Sequence, residues 1–182
     1  MIETERLLIR RFREADVDAI HEMRSDPEVM RYIRETAADR EESAKWTEAI
    51  SAKWESEGIG YCALVEKATG DIAGWCGTWR IQETNEVEVG YAIAKTKWGK
   101  GFATEAAAAM VDHAFSELRL DYLVAVAYPE NEASIRVMKK LGMSFVREGT
   151  FYGKQLVQYS IRIADWQKHL GSAKGNERDR QD

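Results

Sequence analysis

Residues that interrupt or cross-link a chain are scarce in this sequence. Only 2 of its 182 residues are proline, Pro27 and Pro129, so long regular elements are permitted almost everywhere. Two cysteines, Cys62 and Cys76, do not make a disulfide framework and read as buried free thiols in a reducing cytoplasm. His21, His113 and His169 stand apart, with no spacing that pairs Cys or His ligands, so no metal site is expected. No G-x-S-x-G nucleophile elbow occurs. Positive charge is also lacking. A net charge of -5 argues against nucleic acid as the main partner, because phosphate binding needs a cationic surface. The one basic cluster, Arg6, Arg10, Arg11 and Arg13, alternates with apolar residues and reads as the solvated face of an early strand. Long apolar runs are missing too. The stretch Ala106 to Val111 is cut short by Asp112 and His113, which excludes a membrane span there. Glu3, Glu5 and Arg6 arrive where a signal peptide would need its apolar region. These absences leave a soluble cytoplasmic chain, read as one domain over residues 1–170 with a frayed tail at 171–182, monomeric or homodimeric.

What is present is ordinary globular material, 45% hydrophobic and 31% charged, with a clear change of period along the chain. Residues 3–13 read as a first strand. Val17, Ile20 and Met23 then recur at helical spacing, and Asp26-Pro27 breaks the run. A second helix is expected over Asp39 to Glu57, with Trp46, Ile50 and Trp54 as a core stripe. Tyr61–Glu66, Ile72–Ile81 and Glu86–Ala94 read as three successive strands separated by turn residues. Gly101 to Leu118 is an amphipathic helix, Tyr122 to Tyr128 a strand buried on both faces, and Asn131 to Leu141 a helix stopped by Gly142. Ser144–Thr150 and Gln155–Ile163 close the series as a hairpin around Tyr152-Gly153-Lys154. This order packs naturally as a mixed α/β fold of about seven strands flanked by helices.

The segment richest in chemistry runs from Glu88-Val89-Gly90-Tyr91-Ala92-Ile93 into Trp98-Gly99-Lys100-Gly101-Phe102-Ala103-Thr104. A strand feeds a glycine-bearing loop that opens a helix. Such a loop presents several N–H groups next to the positive end of the helix, the combination that cradles a phosphate. A plain tight turn is an equally open reading of two glycines alone. The P-loop pattern fails because Ala94 stands where its first glycine is required. A dinucleotide fingerprint fails because Thr104 replaces its third glycine.

Four blocks in order resemble the GNAT superfamily and, within it, the RimJ/RimL-type branch. They are Thr4-Glu5-Arg6-Leu7-Leu8-Ile9-Arg10, then Glu88-Val89-Gly90-Tyr91, then Trp98 through Ala106, and finally Asn131-Glu132-Ala133-Ser134 with Val137 through Met143. The resemblance implies a GNAT-like acyl-CoA N-acyltransferase fold in which two parallel strands, ending near Ala94 and Tyr128, splay apart. Acetyl-CoA would be the cosubstrate, with no metal. Its pantetheine would bond main chain near Tyr91, Ala92 and Ile93, and its pyrophosphate would lie on the N–H groups of the loop Trp98, Gly99, Lys100, Gly101, Phe102, Ala103 and Thr104. Asn131 would contact the acyl carrier or order its loop. Trp98 departs from the Gln or Arg common at that position in the superfamily, yet suits the branch.

The implied reaction is direct attack of a primary amine on the acetyl thioester. Glu88 is the candidate base, and a solvated strand glutamate is the competing reading of the same residue. A backbone N–H near Tyr91 would hold the oxyanion. Met138 stands where many relatives of this kind carry a tyrosine acid, so Ser134 is the candidate acid, with helix capping as its plainer role. Tyr128 is a further candidate. The acceptor is read as the N-terminal α-amine of a protein or peptide. A small amine (polyamine, aminoglycoside or amino acid) and a non-catalytic acyl-CoA-binding module are the alternatives. Trp46, Trp54, Tyr152 and Lys154 are candidates for acceptor choice.

Overall fold

A computed structural model describes residues 1–178, with side chains through residue 171. The chain opens with β1 (Ile2–Glu3) and β2 (Leu7–Arg10), followed by α1 (Val17–Ser25), α2 (Pro27–Met30) and α3 (Arg40–Glu57). Three strands follow, β3 (Tyr61–Glu66), β4 (Ile72–Arg80) and β5 (Val87–Ile93). Then come α4 (Phe102–Ser116), β6 (Tyr122–Ala127), α5 (Glu132–Lys140), β7 (Ser144–Phe151), β8 (Lys154–Arg162) and α6 (Ile163–Arg178). All eight strands join one sheet in the order β1-β2-β3-β4-β5-β6-β8-β7. Every pairing is antiparallel except that of β5 with β6.

Three features differ from the sequence reading. The stretch expected as one strand over residues 3–13 is a hairpin. Thr4 Oγ1 accepts from Leu7 N at 3.0 Å and Thr4 N donates to Leu7 O, so Thr4-Glu5-Arg6 turns the chain and β1 pairs back on β2. The sheet therefore has eight strands instead of about seven. α6 follows β8 without a loop, and no capping residue announces it. Ile163, Trp166 and Leu170, spaced as one helical face, are the signal that could have found it. The expected start of the tail at Gly171 falls within this helix, and residues 179–182 lie outside the described residues.

Local chemistry accounts for the other helix ends. Asp39 and Glu42 exchange side chain to backbone bonds in a capping box at the start of α3. Gly58, at φ 69°, ends it in the left-handed conformation. Asp26 accepts from Glu28 N and Val29 N, so Asp26-Pro27 both breaks α1 and starts α2.

The sheet is covered on both faces. On one face α4 packs its Ala106, Ala107, Met110, Val111 and Ala114 against β2–β6, with Met138 of α5 and Trp166 of α6 in the same cluster. On the other face Ile20 and Met23 of α1 and Met30 of α2 meet Trp75 and Ala92. Trp46 of α3 joins this second cluster, 5.2 Å from Trp75 and 5.4 Å from Phe12 between ring centroids. Trp54 packs against the larger core and donates its indole N–H to Tyr61 O at 3.0 Å. Two of the four residues named for acceptor choice thus serve packing.

Candidate active site

The parallel strands β5 and β6 share a single register pair, Glu88↔Val124. Beyond it they diverge, and the C-terminal half of β5 keeps a neighbour only in β4. Alternation along an antiparallel ladder fixes which groups face the gap. Ala94 N donates to Ala73 O on the β4 side, and Thr78 N donates away from β5 to Gly60 O. Hence the main-chain groups of Val89, Tyr91 and Ile93 turn toward β6, and those of Ala92 turn toward β4. The carbonyl of Ile93 accepts the Trp98 indole N–H at 2.7 Å. Tyr91 is left as the rung whose N–H and C=O open onto the wedge, a cradle suited to an extended amide-bearing chain.

Below the wedge, Gly99 and Gly101 take φ 75° and 81°, the left-handed region in which a side chain is strained. Gly101 is the N-cap of α4, and no side chain caps that end. The first-turn N–H groups of Phe102, Ala103 and Thr104 are therefore presented together at the positive end of a 15-residue helix, a fit for pyrophosphate. Phe102 itself is buried. Lys100 is 48% exposed, with its ammonium 3.9 Å from Glu66.

Arg6 and Thr4 hold this loop in place. Arg6 Nη1 donates to Lys100 O at 2.7 Å, Arg6 Nε to Glu105 Oε2 at 2.7 Å, and Arg6 N to Glu105 Oε1 at 2.8 Å. The Thr4 hydroxyl donates to the same Glu105 carboxylate, and the Arg6 guanidinium lies 4.9 Å from the Phe102 ring centroid. Burial pushes the Glu105 carboxyl up, but the bonds from Thr4 and Arg6 outweigh it and hold it below the usual glutamate range. The reading of the basic cluster as a solvated strand face holds for the exposed Arg11 and Arg13, but Arg6 lies in a turn and is bonded to this loop. Arg10 is likewise engaged, in a two-pronged pair with Asp16 at 2.6 and 2.8 Å.

Glu88 and Tyr91 are three residues apart on one strand, so their side chains leave opposite faces of the sheet. Glu88 is 6% exposed and accepts the Tyr152 hydroxyl at 2.7 Å. It is not the solvated strand residue of the plainer reading. Burial pushes its carboxyl up to about 7; the Tyr152 hydrogen bond opposes that rise and the nearby Glu83 charge adds to it. On the same face Tyr61 leans over the β5 backbone, its hydroxyl 2.8 Å from where a Cβ on Gly90 would stand. Its ring stacks on Trp79 at 5.6 Å. Lys154 completes this mouth, 5.6 Å from the centroid of Tyr128 and 3.9 Å from Glu35.

On the opposite face, Tyr91 and Ser134 meet: their hydroxyl oxygens are 2.9 Å apart. Asn131 Oδ1 accepts from Ser134 N at 3.2 Å and so performs the helix capping that sequence allowed to Ser134. The Ser134 hydroxyl is turned to Tyr91 instead. Met138 is buried in the core, with no hydroxyl to offer.

Sequence reasoning missed the clamp on Glu105, the placement of Tyr61 over Gly90, and the Tyr91–Ser134 contact. Each joins residues far apart in the chain, which no local period reveals. No group of His, Cys, Asp and Glu among the described residues is arranged to hold a metal ion. No described helix is long and apolar enough to cross a membrane.

Residues 6–144 match the acetyltransferase (GNAT) domain family. The uncharacterized N-acetyltransferase YnaD of Bacillus subtilis is 35% identical over 150 residues, covering 82% of this chain and 85% of its own length. Among solved structures, a GNAT-family acetyltransferase from Bacillus anthracis superposes with a TM-score of 0.76 at 28% identity, covering 88% of this chain and 97% of that one. A ribosomal-protein-S5-alanine acetyltransferase from Vibrio fischeri shares the fold with a TM-score of 0.76 at 20% identity, covering 91% and 97%. The chain belongs to the GNAT family and is an acetyl-CoA-dependent N-acetyltransferase.

Proposed function

We propose that this enzyme acetylates the N-terminal α-amine of a protein or peptide, with Glu88 as general base and Ser134 as the source of the proton for the leaving thiolate. The buried Glu88, poised near neutrality beside the wedge, carries this reading. An α-amine has a pKa of roughly 8, so a base near 7 takes its proton with little driving force to find. A lysine ammonium, near 10.4, would ask considerably more.

Acetyl-CoA supplies an activated thioester, and the free groups described above suit its two polar stretches. The N–H groups of Gly99 through Thr104 would hold the pyrophosphate. The main chain of Tyr91 would pair with the pantetheine amide, and its N–H is suited to a developing oxyanion. With Glu88 on one face and the Tyr91–Ser134 pair on the other, proton removal from the acceptor and proton delivery to sulfur are separated by the sheet. The two events then do not compete for one group. The Vibrio fischeri protein acts, by its name, on the alanine of a ribosomal protein, which agrees with this acceptor class; at 20% identity its likeness concerns the fold alone.

The test is release of CoA thiol from acetyl-CoA against peptides with free N-termini, polyamines and aminoglycosides. Turnover is expected with peptides, and Glu88→Gln should lower kcat/KM by about 10²–10⁴. Turnover confined to small amines would replace the acceptor class. Acetyl-CoA binding without turnover across the panel would favour a binding module.

A further inference from the structure

The turn between β7 and β8 is built on Tyr152-Gly153, with φ 54° and 69°. Two left-handed residues make the tight hairpin turn that favours Asn-Gly, and a bulky aromatic at the first position is strained there. The turn keeps it nonetheless, and both polar groups of Tyr152 are engaged. Its N–H donates to Glu83 Oε1, in the turn between β4 and β5, and its hydroxyl donates to Glu88 Oε1 at 2.7 Å. Tyr152 is 40% exposed, so the residue borders solvent while its hydroxyl reaches a buried carboxylate. A strained conformation that brings a hydroxyl onto a buried candidate base points to a function for that side chain.

We propose that Tyr152 is a positioning residue for acetyl transfer: its hydroxyl holds the Glu88 carboxylate in place and in its ionised form, and yields that carboxylate to the incoming ammonium. This inference rests on Glu88 acting as the base. Burial in an apolar setting favours the neutral acid, and a donated hydrogen bond favours the anion. Tyr152 supplies that donor from a turn, an element that moves without disturbing the sheet. Its own phenol is pushed upward, first by burial and then by the Glu88 charge, so it donates its proton to the bond without ionising.

The other groups facing Glu88 are few. Tyr61 comes from β3, and Glu83 acts from the turn between β4 and β5. Glu86, two residues earlier, accepts from Gln158 at 2.7 Å, and Lys53 of α3 stands over the Trp79 ring while paired with Glu57. Tyr152 and Glu83 act on Glu88 in opposite directions: the hydroxyl stabilises the carboxylate and the neighbouring charge destabilises it.

That opposition gives the experiment. NMR of isotope-labelled glutamate carboxyls reads the Glu88 midpoint directly, with Glu88→Gln identifying the resonance. Tyr152→Phe should move the midpoint upward by roughly one pH unit, and Glu83→Gln, which keeps an acceptor for the Tyr152 N–H, should move it downward. The acidic limb of kcat/KM, along which a general base gains its proton and activity is lost, should follow both shifts. A midpoint unmoved by Tyr152→Phe in a wild type that turns over would overturn the positioning role alone. Midpoints that move while the rate profile stays fixed would overturn Glu88 as base, and the positioning role with it. Two variants shifting in the same direction would reveal a general disturbance of the turn and also reject the proposal.

Discussion

At the residue scale, Glu88 imposes a cost on the fold that a solvated glutamate would not. Its carboxyl titrates near 7 in the folded protein because it is buried, whereas an unfolded glutamate titrates near 4.3. Between those values the folded state keeps a proton that the unfolded state has released. Stability therefore falls as pH rises through this window, and the deficit is complete above the folded value. Glu88→Gln, which still accepts the Tyr152 hydroxyl, should be more stable than the parent at about pH 8, by up to about 3 kcal/mol, and close to it near pH 4. Urea midpoints at the two pH values check this. Asp16 behaves oppositely. Burial raises its carboxyl, but the bonds from Arg10 and the Arg13 N–H prevail and hold it below the usual aspartate range. Its contribution is present above the unfolded value and lost as pH falls through the folded one. Asp16→Asn should cost on the order of 3 kcal/mol near neutrality, measured by the same denaturation. The sequence placed Glu88 on the right strand, since Val87, Glu88 and Val89 alternate. Its partner lies 64 residues away, so neither its burial nor its bond was legible.

At the element scale, the start of α4 joins a helix terminus to a clamp from the other end of the sequence. Gly101 occupies the left-handed region at φ 81°. Gly101→Ala should strain it by roughly 1–2 kcal/mol and weaken acetyl-CoA binding by about tenfold, read by calorimetric titration. Gly58→Ala is the matched control. Its φ is 69°, nothing lies within 4 Å of an added Cβ, and it ends α3 away from the loop. It should lose comparable stability with acetyl-CoA affinity unchanged. Elements with a sustained period were readable in advance, as α3 and α4 illustrate, whereas the Asp39–Glu42 capping box was not read and the cap of α5 falls to Asn131 instead of Ser134. The β1–β2 hairpin was not readable, because Leu7, Leu8 and Ile9 disguise the turn before them as strand. Nor was α6, which has neither cap nor loop between itself and β8.

At the scale of the whole molecule, most of the element order and the mixed α/β class followed from the sequence, whereas the order of strands across the sheet did not. The single parallel junction came instead from family resemblance. Two layers of helix cover the sheet, yet its middle is held by one register pair. A ligand lying in that gap binds only the folded chain. Acetyl-CoA at about 100 times its dissociation constant should add about 2.7 kcal/mol. For a chain of this size that is a rise in melting temperature of roughly 5–10 °C, which a thermal scan reads.

The same junction parts the strands of the sheet, β1–β5 to one side and β6, β8 and β7 to the other, while α4, α5 and α6 share one core across it. Pantetheine in the gap would act as mortar between the two sets of strands. Hydrogen exchange should then slow on both lips at once when the cosubstrate arrives, and quicken together when CoA departs. The reaction's exit would be a loosening of the enzyme itself, with the cosubstrate serving for the length of each turnover as a missing strand of its own catalyst.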